Sequence, residues 1–578
     1  MLTEYQIGKE MFAFIKAKSF QSDLNKFFKN LLLRFSTNNP RLQQQLFRFV
    51  DVLPSLKTTD QVNQLLVEYL GGTKTFIAPI VNFAAKLPLL DSITHKVINF
   101  SAQTMAKSFI AGSNTSEALD KISQLERQGL SYTLDLLGEI ALTEEEASLY
   151  HEKYLEIIRS IDQVNLSIKL SSLAAQIHPL DFKSKKQIIK NRLRDIYKLA
   201  IETGASINVD SEHFHFKEIT FEILEELLSE PDFINWTGAG IVIQAYLKDS
   251  YMDLVRWINI AKSRRNPITI RLVKGAYWDY EVAIARQKSW DCPVYEFKSD
   301  TDANYEKLTE VLLQNHHYVR PAIASHNIRS LAHAIRIAQV NEVPQTAFEI
   351  QMLYGMLDEL KGYFPENNFC LRVYLPYGEL IPGMSYLVRR LLENTANDSF
   401  LKQGFLNKSS EDELLLEPHF SQYLKASFVS SETFTNSAGI DFYDGKNRNL
   451  AFRSISDLCS ELYENKSYPL LIASGKVFSD IGFESVNPAS TKHVLGRVSL
   501  ASYSHCDHAI YEAKQSQKVW AALNVIKRAE VLKKLAKEVE NFRMRFIGLL
   551  VLEAGKTWLD ADAEVSELVD FLNYYADQ

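Results

Sequence analysis

The middle of the chain alternates between short apolar runs rich in β-branched residues and longer stretches with apolar positions three or four residues apart. Such short runs are typical of buried strands, and the longer spacing is typical of one helix face. Amphipathic helices such as Ser184–Thr203, Lys217–Leu228 and Ile328–Gln339 are predicted between runs. Eight runs predict strands, at Tyr132–Leu136, Leu166–Leu170, Ser206–Asp210, Ile241–Tyr246, Ile268–Val273, Ala322–Ser325, Ala347–Met352 and Leu371–Leu375. This alternation predicts a (β/α)8 TIM-like barrel and an α/β fold class.

The regions that flank the barrel, which we place at residues 126–410, have other patterns. Residues 1–125 predict an all-helical arm and cover domain, with helices at Gln21–Phe35, Gln43–Val50, Gln61–Tyr69 and Asp91–Phe109. Residues 411–470 are irregular and acidic in places, which predicts a connector. Residues 471–578 predict a partial α/β domain with long helices at Asp507–Ala522, Lys527–Leu550 and Asp562–Tyr575. The last helix is followed by no closing strand, so we expect this domain to be cut short.

Polar side chains stand near the carboxyl end of every predicted strand. In a barrel of this type, residues at strand carboxyl ends converge on one mouth, where active sites lie. In chain order these residues are Asp135, Lys169, Asp210, Gln244, Arg271 with Lys274, His326 with Asn327, Gln351 and Tyr374. The sequence therefore predicts an active site at this mouth.

A helix predicted after the eighth strand, at 386–394, adds a second polar face. Tyr386, Arg389, Arg390 and Glu393 share one side of it, and leucine and valine residues share the other. Two neighbouring guanidinium groups can bind one small carboxylate by bidentate hydrogen bonds. The alternative is a solvated helix face with an internal Arg389–Glu393 pair. Because the helix follows the eighth strand, we favour a wall of the active site.

Composition narrows the classes of protein to consider. A net charge of −7 without a strong basic run gives no reason to expect a nucleic-acid partner. The four cysteines are far apart in sequence and lack the spacing of metal ligands, so we expect neither a disulfide framework nor a zinc site. This cysteine usage fits a reducing cytoplasm. No apolar stretch reaches the roughly 18 residues of a membrane span, so we expect any membrane contact to be peripheral.

Several motifs resemble one enzyme family. They are LDLLGE at 134–139, IKLS at 168–171, RLVKGAYW at 271–278, SHN at 325–327 and YLVRRLLEN at 386–394. Over residues 45–410 the chain resembles the proline dehydrogenase barrel of the bifunctional proline utilization A flavoenzymes. The NPA run at 487–489, the VLGRV run at 494–498 and the EAGKT run at 553–557 resemble the first part of that family's aldehyde dehydrogenase domain.

The resemblance implies FAD-dependent oxidation of L-proline to Δ1-pyrroline-5-carboxylate, as a step of proline catabolism to glutamate. Electrons would pass to a membrane quinone, and the protein would be cytoplasmic with peripheral contact at the inner face of the cell membrane. Apart from the resemblance, oxidising a secondary amine to an imine requires a hydride acceptor, which side chains do not supply. A redox cofactor is therefore expected.

The resemblance also implies roles for individual residues. The catalytic, proline-binding set is Lys169, Asp210, Tyr374, Tyr386, Arg389, Arg390 and Glu139, with Ala276, Tyr277 and Leu353 shaping the pocket. The FAD-binding set is Asp210, Gln244, Arg271, Lys274, Gly275, Ala276, Tyr277, Trp278, Lys298, Thr301, His326, Asn327, Gln351 and Leu353.

Three departures from the family pattern matter. In the family Glu139 pairs with an arginine as a gate over the substrate, and we take Phe297 to stand at that arginine's position, which leaves the gate undecided. The aldehyde dehydrogenase likeness ends before that family's nucleophilic cysteine and NAD-binding glycine loop, so we expect no second activity from these residues. Some members begin with a ribbon-helix-helix DNA-binding domain, whereas this chain begins in the helical arm.

Two other readings compete. A metal-dependent barrel hydrolase is suggested by His213 and His215, which could bind one metal ion with further ligands such as His326 and Asp210. The arginine pair would have no role there. A catalytically dead barrel that serves as an interaction scaffold is the second alternative, and keeping so many buried polar groups without a ligand would be costly.

Overall fold

The computed structural model describes residues 2–19, 109–138, 140–378, 410–421, 434–462, 466–473 and 475–578, together with isolated helical positions between 45 and 68. The chain divides into two compact units. The first comprises Met1–Glu281 and Pro293–Gln422, and the second comprises Val282–Cys292 and Tyr423–Gln578. The predicted arm helices lie almost entirely outside the described residues.

The first unit contains a closed barrel of eight parallel strands in sequential order, which confirms the predicted fold. Strand β1 pairs with β2 on one side and with β8 on the other, so that Leu134 lies opposite both Leu166 and Leu375. The strands are β1 Ser131–Leu136, β2 Asn165–Ile168, β3 Ser206–Val209, β4 Ala239–Gln244, β5 Ile268–Val273, β6 Val319–Ala324, β7 Glu349–Leu353 and β8 Cys370–Tyr377. Strand β5 has the predicted bounds. Strand β6 begins three residues before its predicted start and runs through Pro321, although a proline has no N–H to donate to the sheet.

Helices alternate with the strands as the periodicity predicts. Helix α4, for example, buries Ile189, Leu193, Ile196 and Ala200 along one stripe and ends at Gly204 in the left-handed conformation, with φ +72°. The described residues of this unit form the helices α1 Glu4–Ser19, α2 Thr115–Arg127, α3 Glu144–Ser160, α4 Phe182–Thr203, α5 Phe214–Leu228, α6 Ser250–Arg264, α7 Trp278–Lys288, α8 Lys298–Gln314, α9 Ile328–Val340, α10 Asp358–Lys361, α11 Tyr363–Glu366 and α12 Glu411–Leu414. Helix α7 continues into the second unit.

Helix α1 packs onto the barrel, although the sequence analysis did not predict it. Ile7, Met11 and Ile15 recur every four residues and join the barrel's hydrophobic core. Its first residue, Glu4, accepts a hydrogen bond from Nδ1 of protonated His333 at 2.8 Å and pairs with Arg329 at 2.7 Å. Since α9 carries both cations, buried charge as well as apolar packing fixes α1 to the barrel.

The described residues of the second unit form two small sheets and five helices. Strands β9 Ser467–Tyr468, β12 Gly482–Asn487 and β13 Ser490–Ser499 form a three-stranded sheet in the order β12-β13-β9, and β10 Leu470–Ile472 pairs with β11 Gly475–Val477. Helix α13, Gly445–Leu462, lies in the stretch that the sequence pattern left as an irregular connector. Helices α14 Tyr503–Ala522, α15 Val525–Asn541, α16 Arg543–Ala554 and α17 Trp558–Asp577 follow.

One prediction in this unit was wrong. The pattern predicted a single helix at Lys527–Leu550, but α15 ends before Phe542 and α16 begins after it. Arg543 explains the new direction of the chain, because its guanidinium is buried and donates to Asp562 of α17 at 2.7 and 2.9 Å. A distant carboxylate therefore sets the break, and the local sequence contains no glycine or proline to signal it.

Candidate active site at the carboxyl ends of the strands

A buried network of charged and polar side chains joins five strands at the barrel mouth. Lys169 donates from Nζ to Oδ1 of Asp135 at 2.6 Å, and Nζ lies 3.9 Å from Oδ2 of Asp210. Asp210 also accepts from Arg271 and from the Tyr374 hydroxyl, both at 2.6 Å. These residues belong to β1, β5 and β8 or directly follow β2 and β3, so the predicted convergence of strand ends is confirmed for them.

The network brings two carboxylates and two cations out of water together. The side chains of Arg271 and Asp135 are 4% and 3% exposed, and those of Asp210 and Lys169 are 13% and 15% exposed. Burial of one such ion alone would cost several kcal/mol, whereas paired charges with hydrogen bonds compensate each other. Arg271 also donates to Ser167 at 3.0 Å and lies over the Tyr374 ring.

Two members of the network keep their protons at neutral pH. Burial opposes the charge of Lys169, but Asp135 and Asp210 outweigh it and raise the pKa of Lys169 above its ordinary value. Burial raises the pKa of the Tyr374 hydroxyl well above its ordinary value, and Asp135 and Asp210 raise it further. Lys169 and Tyr374 are therefore hydrogen-bond donors at this site rather than bases.

A second charged group lies beyond the end of β5. Asp302 of α8 pairs with Lys274, and it accepts from Lys298 at 2.6 Å. Burial lowers the pKa of Lys274. Burial alone would raise the pKa of Asp302, but the two lysines lower it. The group carries a net positive charge, which suits an anionic ligand such as a phosphate.

The backbone after β5 passes very close to an aromatic ring. Gly275 has φ +124°, and a Cβ there would lie 2.4 Å from the Tyr246 ring. The Tyr246 N–H donates to the Lys274 carbonyl at 2.8 Å, and Trp278 Nε1 donates to the Tyr295 carbonyl at 2.8 Å. Only glycine fits this conformation and this space, which explains its position in the RLVKGAYW run.

The remaining predicted cofactor residues lie at the ends of β4, β6 and β7 or at a helix start. Gln244 donates to Ser211 and to the Glu212 carbonyl, at 2.8 and 3.0 Å. His326 Nε2 accepts from the Leu353 N–H at 3.0 Å, which joins the ends of β6 and β7. Gln351 donates to Glu349 at 2.6 Å. Asn327 caps α9 by accepting from the N–H groups of Arg329 and Ser330. Thr301 is buried in α8.

Four predicted site residues, Glu139, Tyr386, Arg389 and Arg390, lie outside the described residues. Their roles stay predictions.

The sequence analysis did not identify two acidic residues at the barrel mouth, Glu212 and Asp302. Glu212 is buried and accepts from both the N–H and the hydroxyl of Ser171, and burial raises its pKa. Its position two residues after Asp210 was a usable signal. Asp302 stands four residues after Lys298, a helical spacing that could also have indicated the pair.

The described residues give no support to the metal-site alternative. None of them form a group of three or more histidine, cysteine or acidic side chains that could hold a metal ion. The His213 ring instead lies against the rings of Tyr277 and Tyr280, with centroids 4.1 Å apart in each case.

Fold and site together define a (β/α)8-barrel protein with a buried, charge-balanced network at the carboxyl ends of its strands. Comparison with known proteins agrees. The profile described as "Proline dehydrogenase" matches residues 118–403, "Proline utilization A N-terminal domain" matches 3–109, and "Aldehyde dehydrogenase family" matches 478–578. Proline dehydrogenase 1 of Bacillus subtilis (strain 168) is 31% identical over 307 residues, which are 52% of this chain and 91% of that protein. The chain therefore belongs to the proline dehydrogenase family.

Longer relatives match this chain over most of its length. The bifunctional protein PutA of Klebsiella aerogenes is 33% identical over 525 residues, which cover 84% of this chain but 39% of that protein. The crystal structure of proline utilization A from Bdellovibrio bacteriovorus, inactivated by N-propargylglycine, has a TM-score of 0.91 and 34% identity, and the match covers 99% of this chain and 60% of that one. This chain is thus similar to part of the longer proline utilization A proteins.

Proposed function

We propose that this protein oxidises L-proline to Δ1-pyrroline-5-carboxylate with FAD as its cofactor. The observation that carries the proposal is the buried network of Asp135, Lys169, Asp210, Arg271 and Tyr374 at the barrel mouth of a proline dehydrogenase family member. Bound FAD would supply the hydride acceptor that no side chain provides.

The residues after β4 and β5 fit a flavin nucleotide. Arg271 Nε is buried and has no hydrogen-bond partner among the described residues, so this cation still has a donor to offer to a ligand. A cation beside a reduced flavin ring stabilises the negative charge that the ring gains. Gly275 lets the backbone approach a ligand closely, and the Lys274–Asp302–Lys298 group suits phosphate. We assign Gln244, His326 and Gln351 to the same ligand.

Proline would lie between this region and the ends of β1, β2, β3 and β8. Lys169 keeps its protons and is held by Asp135, so it would present an N–H to the substrate. Tyr374 keeps its proton on Asp210, so its ring and its hydroxyl oxygen would face the substrate. Arg389 and Arg390, with Tyr386, would bind the carboxylate, and Ala276, Tyr277 and Leu353 would shape the pocket. Glu139 would cover the bound substrate.

Several finer assignments are part of the proposal. Electrons would pass from FAD to a membrane quinone, and we assign the protein to the cytoplasm with peripheral contact at the inner face of the membrane. No helix among the described residues is both long and apolar enough to cross a membrane. The domain bounds 1–125, 126–410, 411–470 and 471–578 are likewise proposed. Conversion of the product to glutamate would be the activity of a full proline utilization A protein.

The test is the absorbance spectrum of the purified protein before and after anaerobic addition of proline. We expect the absorbance band of oxidised flavin, which is lost when proline is added. The non-reactive control is proline replaced by an equal concentration of glycine, which has a carboxylate but no secondary amine. A colourless protein that also fails to bind added FAD would refute the assignment.

A further inference from the structure

His213, one of the two histidines that suggested a metal site, occupies a different kind of position. It follows β3, and its ring lies against those of Tyr277, directly before α7, and Tyr280, in the first turn of α7. Its contacts therefore join two loops of the barrel mouth that are separated by β4. Aromatic pairs at this separation contribute specific orientation in addition to buried area.

Glu281 joins the same two loops a second time. Its carboxylate, which is 2% exposed, accepts from the Phe214 N–H at 2.8 Å. Oε1 of Glu281 also lies 3.7 Å from Nδ1 of His213, and Nδ1 is buried without a hydrogen-bond partner in the described part of the chain. The buried carboxylate thus lies near one ring nitrogen without a hydrogen bond to it, and ring packing holds the imidazole.

The loop after β4 completes the arrangement. Tyr246 packs against Gly275 and donates its N–H to the Lys274 carbonyl, so the loop after β4 contacts the segment between β5 and α7. His213 holds the next residues of the same segment from the side of β3. The segment that carries Tyr277 is therefore held by contacts from two loops, and the Tyr277 ring itself packs against His213.

We propose that His213 is a positioning residue that fixes Tyr277 as a wall of the proline pocket. The inference rests on the proposed function, in which Tyr277 shapes that pocket. In this proposal His213 binds no metal ion and transfers no proton. Its ring, rather than its charge, carries the effect.

The test compares His213→Ala and His213→Gln, which remove the ring, with His213→Phe, which keeps one, and with His215→Ala as a control two residues further on. We expect the KM for proline to rise about three- to tenfold in the first two variants, the range of one lost aromatic pair. The kcat stays within twofold, and His213→Phe and His215→Ala stay near wild-type KM. A KM unchanged in His213→Gln, or raised equally in His213→Phe, would overturn the proposal.

A second measurement does not depend on activity. Hydrogen–deuterium exchange of the backbone amides at 274–281 reports directly on how firmly the segment is held. We expect faster exchange there in His213→Ala and His213→Gln, and wild-type exchange in His213→Phe. Unchanged exchange in both ring-less variants would refute the positioning role. If the wild type neither binds FAD nor oxidises proline, the proposed function fails instead, and the exchange result still decides whether His213 holds this segment.

Discussion

Asp210→Asn is the substitution that we expect to damage this site most for the smallest change in shape. Asp210 accepts from Arg271 and from Tyr374, each at 2.6 Å, and both partners are donors. An asparagine side chain has only one acceptor oxygen, so its NH2 group would face one of these donors. It would also leave Arg271, which is 4% exposed, without its carboxylate.

The size of the effect follows from that burial. Breaking a buried ion pair by removing one partner costs about 3–5 kcal/mol. If this cost appears in the transition state for proline oxidation, kcat/KM falls by about two to four powers of ten. Tyr374→Phe removes one hydrogen bond to the same carboxylate, which is worth about 1.5–3 kcal/mol, and should fall between Asp210→Asn and wild type.

The assay is steady-state proline oxidation with an artificial electron acceptor, with flavin content and melting temperature measured for every variant. The matched control is Asp232→Asn, which removes a carboxylate from the exposed pair with Lys198, where the two side chains are 60% and 52% exposed. Such pairs contribute about 0–1 kcal/mol. If Asp210→Asn kept its flavin and a kcat/KM within threefold of wild type, the network would not be the active site.

Three further outcomes are expected. Burial lowers the pKa of His333, but Glu4 and Glu306 outweigh burial and raise the pKa overall. The charged ring therefore stabilises the attachment of α1 fully at pH values below the ordinary histidine pKa, and this stabilisation is lost as the pH rises through the raised pKa. Hydrogen exchange of α1, corrected for intrinsic rates, should become faster from pH 6 to pH 9, roughly the window around an ordinary histidine pKa, and His333→Gln should remove that dependence. Gly275→Ala should cost about 1–3 kcal/mol through its left-handed φ, seen as a lower melting temperature and lower flavin content; unchanged values would contradict the close approach. Arg390→Met should raise the proline concentration for half-maximal flavin reduction by about two to four powers of ten, with flavin content kept; a change within threefold would indicate a solvated helix face.

Local sequence pattern predicted the barrel because each strand and helix carries its own periodicity. It also predicted which strand ends meet, since parallel strands in a barrel present their carboxyl ends at one mouth. Asp210 and Arg271 are 61 residues apart in the chain, and only this topological rule could bring them together in advance.

Pairings that depend on three-dimensional packing could not be predicted in the same way. The break before Arg543 depends on Asp562, which lies on another helix. The ring contacts of His213 depend on the path of the segment after β5, and from sequence alone His213 and His215 suggested only the less favoured metal-site alternative. Periodicity reports which face of a helix is buried, but it does not report which side chain of a distant segment meets that face.

Among the described residues, the barrel mouth divides into two halves that the Arg271–Asp210 ion pair connects. One half faces the proposed proline pocket. It contains Asp135 of β1, Lys169 after β2, Asp210 after β3 and Tyr374 of β8. Apart from Asp210, which was predicted for both ligands, the proposed flavin residues belong to or follow β4, β5, β6 and β7.

In the described structure, the hydrogen bond from Arg271 to Asp210 connects the two halves across the barrel. A change at Asp210 therefore acts on both halves, because it releases a substrate-side hydroxyl and a cofactor-side guanidinium together. A change at Tyr374 leaves Arg271 paired and acts on the substrate half. Burial makes this connection rigid, since neither Arg271 nor Asp210 can turn to water without leaving its partner unpaired in the barrel. In the proposed reaction, hydride transfer would require donor and acceptor to be held within a few tenths of an ångström, roughly the tolerance of a productive site, and the buried Arg271–Asp210 ion pair would supply that constraint.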